Sequence, residues 1–247
     1  GIHLGIPTLI QDQNSIPGLI TKKLHNKVSR ICLGYDFAKT QLNKQNCIIT
    51  GNPIKSILNK YDKSIALEEL KLNSSKKTIL ILGGSQGASP INKHFIENLN
   101  FYLKNDYQLI WQCGNKDYNY LKNKINNKNI LLNAFIDNMS QAYSACDLVI
   151  TRAGAITISE LTFMGKAMIL IPYPYAAENH QHLNALSIKE NDGCIVIKQN
   201  DLKYKRLEKT ISKLFINENR IMALETNAKL LSKPNATKDI TTNILEL

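Results

Sequence analysis

The segment Gly83-Gly84-Ser85-Gln86-Gly87-Ala88 follows directly on the apolar run Thr78-Ile79-Leu80-Ile81-Leu82 and leads into a segment opened by Pro90. Small residues between a strand and a helix let the backbone approach a ligand closely, and free N–H groups at a helix start attract phosphate oxygens. Ser85 and Gln86 add side-chain donors. A tight turn with no ligand is the alternative reading. A second segment repeats the device. Thr151-Arg152-Ala153-Gly154-Ala155-Ile156-Thr157-Ile158-Ser159-Glu160 follows the run Leu148-Val149-Ile150, and Gly154 and Ala155 place N–H groups at the next helix start. Glu160 lies about a turn and a half into that helix. A carboxylate there can accept two vicinal hydroxyls, the chemistry of ribose recognition; a solvated helix Glu is the plainer alternative. A third segment, Pro172-Tyr173-Pro174-Tyr175 through Glu178-Asn179-His180-Gln181-His182-Leu183-Asn184, gathers amides and imidazoles suited to a polyhydroxylated ring.

Other chemistries fit badly. A P-loop needs a Lys-Ser/Thr pair closing the glycines. A dinucleotide site needs G-x-G-x-x-G and an acid ending the next strand, but that strand ends Gln112-Cys113-Gly114. No His pair with a nearby carboxylate makes a metal set, so nucleotide binding is expected to need no metal and no cofactor. The five cysteines, Cys32, Cys47, Cys113, Cys146 and Cys194, are scattered and odd in number, and are expected to be small buried side chains.

The elements that must position these segments alternate regularly from residue 78 onward. Apolar runs at 78–82, 108–111, 129–132, 148–150, 167–171 and 194–197 are separated by helical segments at 90–103, 139–145, 156–164 and 179–190. Continuous apolar strands between helices predict a parallel sheet covered on both faces. All three segments then lie at strand C-terminal ends, where ligands of open α/β sheets bind. Residues 1–55 carry a weaker set of the same kind, with strands near 8–10, 28–33 and 47–50. The polar, lysine-rich stretch 56–77 reads as a join. The tail reads as helices at 201–215 and 217–231, a break at Pro234, and a last helix over 236–247. The first residues run straight toward a strand, as in a chain entered partway through a domain.

Composition narrows the class further. Hydrophobic residues make up 43% and charged residues 21% of the 247, ordinary for a globular protein. No apolar run reaches the ~18 residues of a membrane span. The net charge of +11 suits a phosphorylated ligand or an anionic surface, but the lysines form no dense basic block, so nucleic acid is not an expected partner.

In order and spacing, Asp12-Gln13-Asn14, Gly51-Asn52-Pro53, residues 83–88, Phe135-Ile136-Asp137-Asn138-Met139, residues 152–160 and Gln181 to Ala185 resemble the MurG family of bacterial glycosyltransferases. The resemblance covers essentially the whole chain. It implies a GT-B fold: a complete C-terminal Rossmann-like nucleotide-sugar domain over 78–235, the end of an N-terminal acceptor domain over 1–55, a linker over 56–77, and a final helix over 236–247 that packs back on the N-terminal part. It implies transfer of GlcNAc from UDP-GlcNAc to lipid I, forming lipid II for peptidoglycan, at the cytoplasmic face of the inner membrane and with peripheral attachment. Ser85 and Gln86 would face the diphosphate and the backbone of Ile136 the uracil. Gly154, Ala155, Ile156, Thr157, Ile158, Ser159 and Glu160 would cradle the nucleotide sugar, with Glu160 on the ribose. Asn14, Gln181 and Asn184 belong to the sugar side, and Lys55 stands where the family usually has Arg, a point charge for a bidentate fork. Asp12 stands where the family usually has Glu. The family's first glycine-rich loop, with its His, has no counterpart here, so the resemblance names no general base. A non-catalytic UDP-GlcNAc-binding chain and a UDP-GlcNAc 2-epimerase of the same fold are the alternatives.

Overall fold

A computed structural model describes residues 1–247 apart from 43, 56, 57 and 85. The first part holds β1 (Leu9–Asp12), α1 (Leu19–Leu24), β2 (Arg30–Leu33), α2 (Asp36–Lys39) and β3 (Cys47–Ile49), with the strands paired in parallel in the order β1-β2-β3. Its core is small: Val28, Ile31, Leu33, Ala38, Leu42 and Cys47. A short helix, α3 (Lys63–Glu69), lies within the polar stretch 56–77 and is capped by Asp62, whose carboxylate accepts from the backbone of Ser64 and Ile65.

The larger part runs β4 (Thr78–Leu82), α4 (Ser89–Glu97), α5 (Leu99–Lys104), β5 (Gln108–Gln112), α6 (Asn115–Lys124), β6 (Ile130–Asn133) and α7 (Met139–Ala145). It continues with β7 (Leu148–Thr151), α8 (Ala155–Met164), β8 (Met168–Leu170), α9 (His180–Lys189), β9 (Ile195–Val196), α10 (Arg206–Ile216) and α11 (Glu218–Leu230), and α12 (Ala236–Leu245) ends the chain. The six strands are parallel in the order β6-β5-β4-β7-β8-β9. The chain winds outward from β4 in one direction, then returns to β7 and winds outward in the other. The loops after β4 and β7 therefore part at the switch point and open a crevice between them.

The continuous apolar strands follow from burial on both faces. Ile79 and Ile81 of β4, with Leu109, Trp111, Leu148 and Ile150, point to one face and pack against α4, α5, α10 and α11. Leu80 and Leu82, with Ile110, Val149, Met168 and Leu170, point to the other and pack against α3, α7, α8 and α9. Since successive strand residues face opposite ways, both sets must be apolar. In α10, Leu207, Ile211 and Leu214 recur at helical spacing and are the buried stripe.

Two helix expectations are corrected. The segment 90–103 is split into α4 and α5 at Asn98, which takes φ −109° and turns its amide back to donate to the His94 carbonyl at 2.9 Å. The segment 201–215 begins as a 3₁₀ turn over Gln199–Tyr204. Lys205 then adopts φ 54°, and only afterwards does α10 start. A left-handed lysine carries no sequence signature.

None of the five cysteines is in a disulfide, and all are buried. Burial pushes the thiols up, Cys113 and Cys146 to about 11 and Cys194 to about 12. Thiolate, the reactive form, is thus scarce as well as shielded. The native protein is expected to leave all five unmodified by a neutral-pH thiol reagent on the time scale in which the denatured chain takes up five equivalents. Fast labelling of a native cysteine would contradict the packing described.

Candidate nucleotide-sugar site

The crevice at the switch point is bounded by the starts of α4 and α8. Neither helix has a side-chain cap: the N-cap residues are Ala88 and Gly154, and no acidic residue occupies either first turn. The leading N–H groups of α8 and the positive dipole ends of both helices are left to whatever lies in the crevice. In α4, Pro90 has no N–H and that of Ile91 turns back to the Ala88 carbonyl at 2.9 Å, so the open donor there is the Ser89 N–H. Gly84 and Gly87 both take positive φ, 78° and 81°, and the Gly87 N–H closes a turn onto the Gly84 carbonyl at 3.2 Å. Gln86 is exposed beside that turn. Ser85, expected at the diphosphate, lies outside the described residues.

Gln112, buried at the end of β5, joins two walls of the crevice. Its Nε2 donates to the Gly84 carbonyl at 3.0 Å and its Oε1 accepts from the Ile136 N–H at 2.9 Å. The backbone expected to face a pyrimidine is thereby fixed, and with its N–H engaged it offers a ligand its carbonyl. Asn92, also buried, donates to the Cys113 carbonyl at 2.8 Å and accepts from Trp111 Nε1 at 2.9 Å, holding the loop after β5 against α4.

Glu160 is half-buried on α8 and accepts a hydrogen bond from Tyr143 Oη at 2.8 Å. Burial raises its carboxyl above the ordinary value, while the Tyr143 hydrogen bond and the Lys55 ammonium pull it back. Lys55 is exposed, so its charge acts on Glu160 across the crevice rather than through a buried pair. One oxygen of Glu160 is steered by a buried phenol and the other is left for hydroxyls. Ile156 is exposed, Thr157 and Gly154 are intermediate, and Ala155 and Ile158 are buried. Ser159 is turned to the first sheet, where its Oγ accepts from Asn52 Nδ2 at 3.2 Å.

The third loop is bound to the second by Arg152. This buried guanidinium donates to the carbonyls of Ile171 and Pro172 at 3.1 and 3.2 Å and to Gln199 Oε1 at 2.5 Å, and it lies 5.4 Å from the Tyr173 ring. Burial pushes its pKa down to about 10. Gln181 uses its Oε1 to accept from the Tyr173 N–H at 2.9 Å, which leaves its NH₂ for a ligand. Glu178 and Asn179 take left-handed φ of 48° and 56°, and Glu178 pairs with Lys22 of α1 at 3.0 Å across the crevice.

Asn14 stands on the opposite wall. Asp12 shapes its turn, accepting from the Asn14 and Gly18 N–H groups at 3.3 and 2.7 Å and from Thr21 Oγ1 at 2.6 Å. Asn184 is fully buried, and its polar atoms are bonded to the protein. Among the described residues of the sequence-derived set, Gln86, Ile136, Gly154 to Thr157 and Glu160 lie on the loops and helix starts that border the crevice, whereas Ser159 and Asn184 face the interface between the two sheets. Tyr143 and Gln112 were not singled out from sequence. The signal for Gln112 was available: an amide ending an otherwise apolar strand at a ligand-facing edge. For Tyr143 there was none.

A groove of about 550 Å³ lies elsewhere, behind α8, and is lined by Tyr35, Asn52, Ser159, Thr162, Glu190 and Lys233. Glu160 and both glycine loops are absent from its lining, so this groove is separate from the crevice. Among the described residues there is no cluster of three metal-ligating side chains and no helix long and apolar enough to cross a membrane.

Residues 78–240 match the profile of the glycosyltransferase family 28 C-terminal domain, which sets the class as a glycosyltransferase. A UDP-N-acetylglucosamine–N-acetylmuramyl-(pentapeptide) pyrophosphoryl-undecaprenol N-acetylglucosamine transferase of Flavobacterium psychrophilum is 39% identical over 246 residues, covering 99% of this chain and 67% of the relative. The enzyme of the same name from Bacillus subtilis is 34% identical over 237 residues, covering 94% and 65%. The crystal structure of Acinetobacter baumannii MurG superposes with a TM-score of 0.76 at 26% identity, covering 99% of this chain and 68% of that one. Anabaena HepE, crystallised with UDP and glucose, shares the fold alone, with a TM-score of 0.65 at 12% identity, covering 98% and 72%. The chain belongs to the MurG family of glycosyltransferases and spans about two thirds of the length of these relatives.

Proposed function

We propose that the chain binds UDP-GlcNAc in the switch-point crevice and supplies the nucleotide-sugar side of GlcNAc transfer to lipid I, the undecaprenyl-pyrophosphoryl-MurNAc-pentapeptide, giving lipid II. The observation that carries this reading is the convergence of two uncapped helix starts with one steered carboxylate, Glu160, at the same crevice. The N–H groups after Gly84 and Gly154 hold the diphosphate and stabilise the charge that collects on UDP as the glycosidic bond breaks. Lys55 adds a cation at the same end. Gln86 hydrogen-bonds the phosphates, the Ile136 carbonyl takes the uracil N3–H, and Glu160 accepts the ribose hydroxyls. Gln181 and Asn14 bind GlcNAc from opposite walls. Holding C1 open to an attacking hydroxyl converts a bimolecular encounter into an oriented one. The reaction inverts the anomeric centre and uses no metal for nucleotide binding.

In this reading 1–55 is the end of the acceptor domain, 56–77 the linker, 78–235 the UDP-GlcNAc domain and 236–247 the returning helix. Contacts of that last helix support the partition: Arg30 of β2 donates to the Asn243 backbone and side chain at 3.2 and 3.0 Å and pairs with Glu246 at 2.8 Å. The protein attaches peripherally to the cytoplasmic face of the inner membrane, a location consistent with a net charge of +11 facing anionic lipid.

The test is incubation with UDP-GlcNAc and a water-soluble lipid I analogue, following UDP release and product stereochemistry. Acceptor-dependent UDP release with a β-linked disaccharide is expected. Retention of the α configuration would refute the mechanism, and UDP-GlcNAc binding without transfer would make the chain a binding component alone.

A further inference from the structure

The hydrogen-bond polarity around Asn184 fixes which way Asn14 faces. The Ser15 N–H is a donor, so the Asn184 atom 2.8 Å from it is Oδ1. Asn184 Nδ2 then lies against the Ala153 carbonyl at 3.3 Å, an acceptor, which agrees. The same Nδ2 lies 3.1 Å from the Asn14 side chain, so the Asn14 atom there must be its oxygen. The orientation of two amides is thus dictated by two backbone groups whose donor and acceptor characters cannot exchange. What remains of Asn14 is its NH₂ group, which has no protein acceptor among the described residues on a half-buried side chain. Asn184 is 0% exposed and has no free polar atom for a ligand. It also spans the two sheets, since Asn14 and Ser15 follow β1 whereas Ala153 immediately precedes the N-cap of α8.

Resting on the nucleotide-sugar reading above, we propose that Asn184 is a positioning residue that locks the Asn14 amide with its NH₂ presented to an oxygen acceptor of the sugar, a hydroxyl or the N-acetyl carbonyl. Sugar recognition is then coupled to closure of the two sheets on each other, because the contact that orients Asn14 also joins them. Asn14 without Asn184 is free to flip and offer its carbonyl instead.

The test compares affinities for UDP and for UDP-GlcNAc by isothermal titration of the full chain carrying Asn184→Ala, Asn14→Ala, both, or Asn14→Asp. Each single substitution is expected to lower the ratio of UDP-GlcNAc affinity to UDP affinity by about three- to tenfold, the size of one or two hydrogen bonds. The double variant is expected to lose no more than the larger single loss, because both act through one contact. Asn14→Asp keeps an oxygen toward Asn184 and removes the NH₂, so it loses the same increment, and its half-exposed position makes it the safeguard if Asn184→Ala fails to fold. An unchanged ratio in Asn14→Asp, or losses that multiply in the double variant, would overturn the proposal. Wild-type chain that binds UDP but gains nothing from the sugar would overturn it too, while wild-type chain that binds neither would remove the underlying reading.

Discussion

Glu160→Gln is expected to lower the affinity for UDP-GlcNAc by about 10- to 150-fold. A hydrogen bond to a charged group contributes about 1.5–3 kcal/mol, and each 1.4 kcal/mol is tenfold in affinity. Gln is the sharper substitution, since Ala would also strand the buried Tyr143 hydroxyl that now bonds Glu160 at 2.8 Å. Gln keeps an acceptor for that hydroxyl and removes only the charge, so the folded state survives and the affinity reports on the ligand. The pH dependence supplies a second signature. Burial holds the Glu160 carboxyl above its ordinary 4.5, so UDP-GlcNAc affinity should fall on acidification at a higher pH than an ordinary glutamate would give. The sign for folding is opposite: a raised carboxyl favours the folded state most below its unfolded value, and that contribution is lost as pH rises through the folded value. UDP-GlcNAc is the ligand of choice because its diphosphate is a diester with no ionisation in this range. An acid limb that persists unchanged in Glu160→Gln would assign the titration elsewhere, and unchanged affinity at neutral pH would end the ribose assignment.

Gly87→Ala should do comparable damage by a different route. A Cβ at Gly87 would lie 2.1 Å from the Cys113 carbonyl oxygen, and the residue takes φ 81°. Gly84, two positions before Gln86, takes a similar φ of 78° but has nothing within 4 Å of the same added atom. The pair separates conformational strain from steric collision. Gly84→Ala should cost about 1–2 kcal/mol of stability, the left-handed penalty alone. Gly87→Ala must in addition drive the loop away from the end of β5, and should lose at least a further ~1–3 kcal/mol, together with most of the UDP affinity. Urea unfolding of both variants measures the difference. Equal midpoints would mean that the loop after β4 does not rest on the loop after β5.

Much of this was legible in the sequence because the signals were local. Runs such as Thr78 to Leu82 are apolar throughout only where both faces of a strand are covered, and the structure covers them. The glycine segments advertised strand-to-helix turns because small residues are needed where N–H groups must stay open. The glycine at 165 is where α8 ends, with the left-handed φ of 64° that glycine adopts without strain. The strand order, and with it the pairing of the β4 and β7 loops across one switch point, was not legible, since nothing local encodes which strand lies beside which. Tyr143 escaped for the same reason: its partner is 17 residues away, and its own segment reads as an ordinary buried helix. Asn184 was picked out as a sugar-side amide, and the structure spends it instead on residues 169 and 170 positions earlier. A sequence shows that an amide is wanted at a place. Only the fold shows whether the ligand or another amide uses it.

UDP-GlcNAc binding in the crevice is tested most directly by isothermal titration of the full chain, first without metal and then with magnesium. The expected result is one site, bound without metal, strengthened little by magnesium and abolished or greatly weakened in Glu160→Gln. A folded chain that binds no UDP-GlcNAc, or binds it only when a divalent cation is present, would contradict metal-independent binding at this crevice.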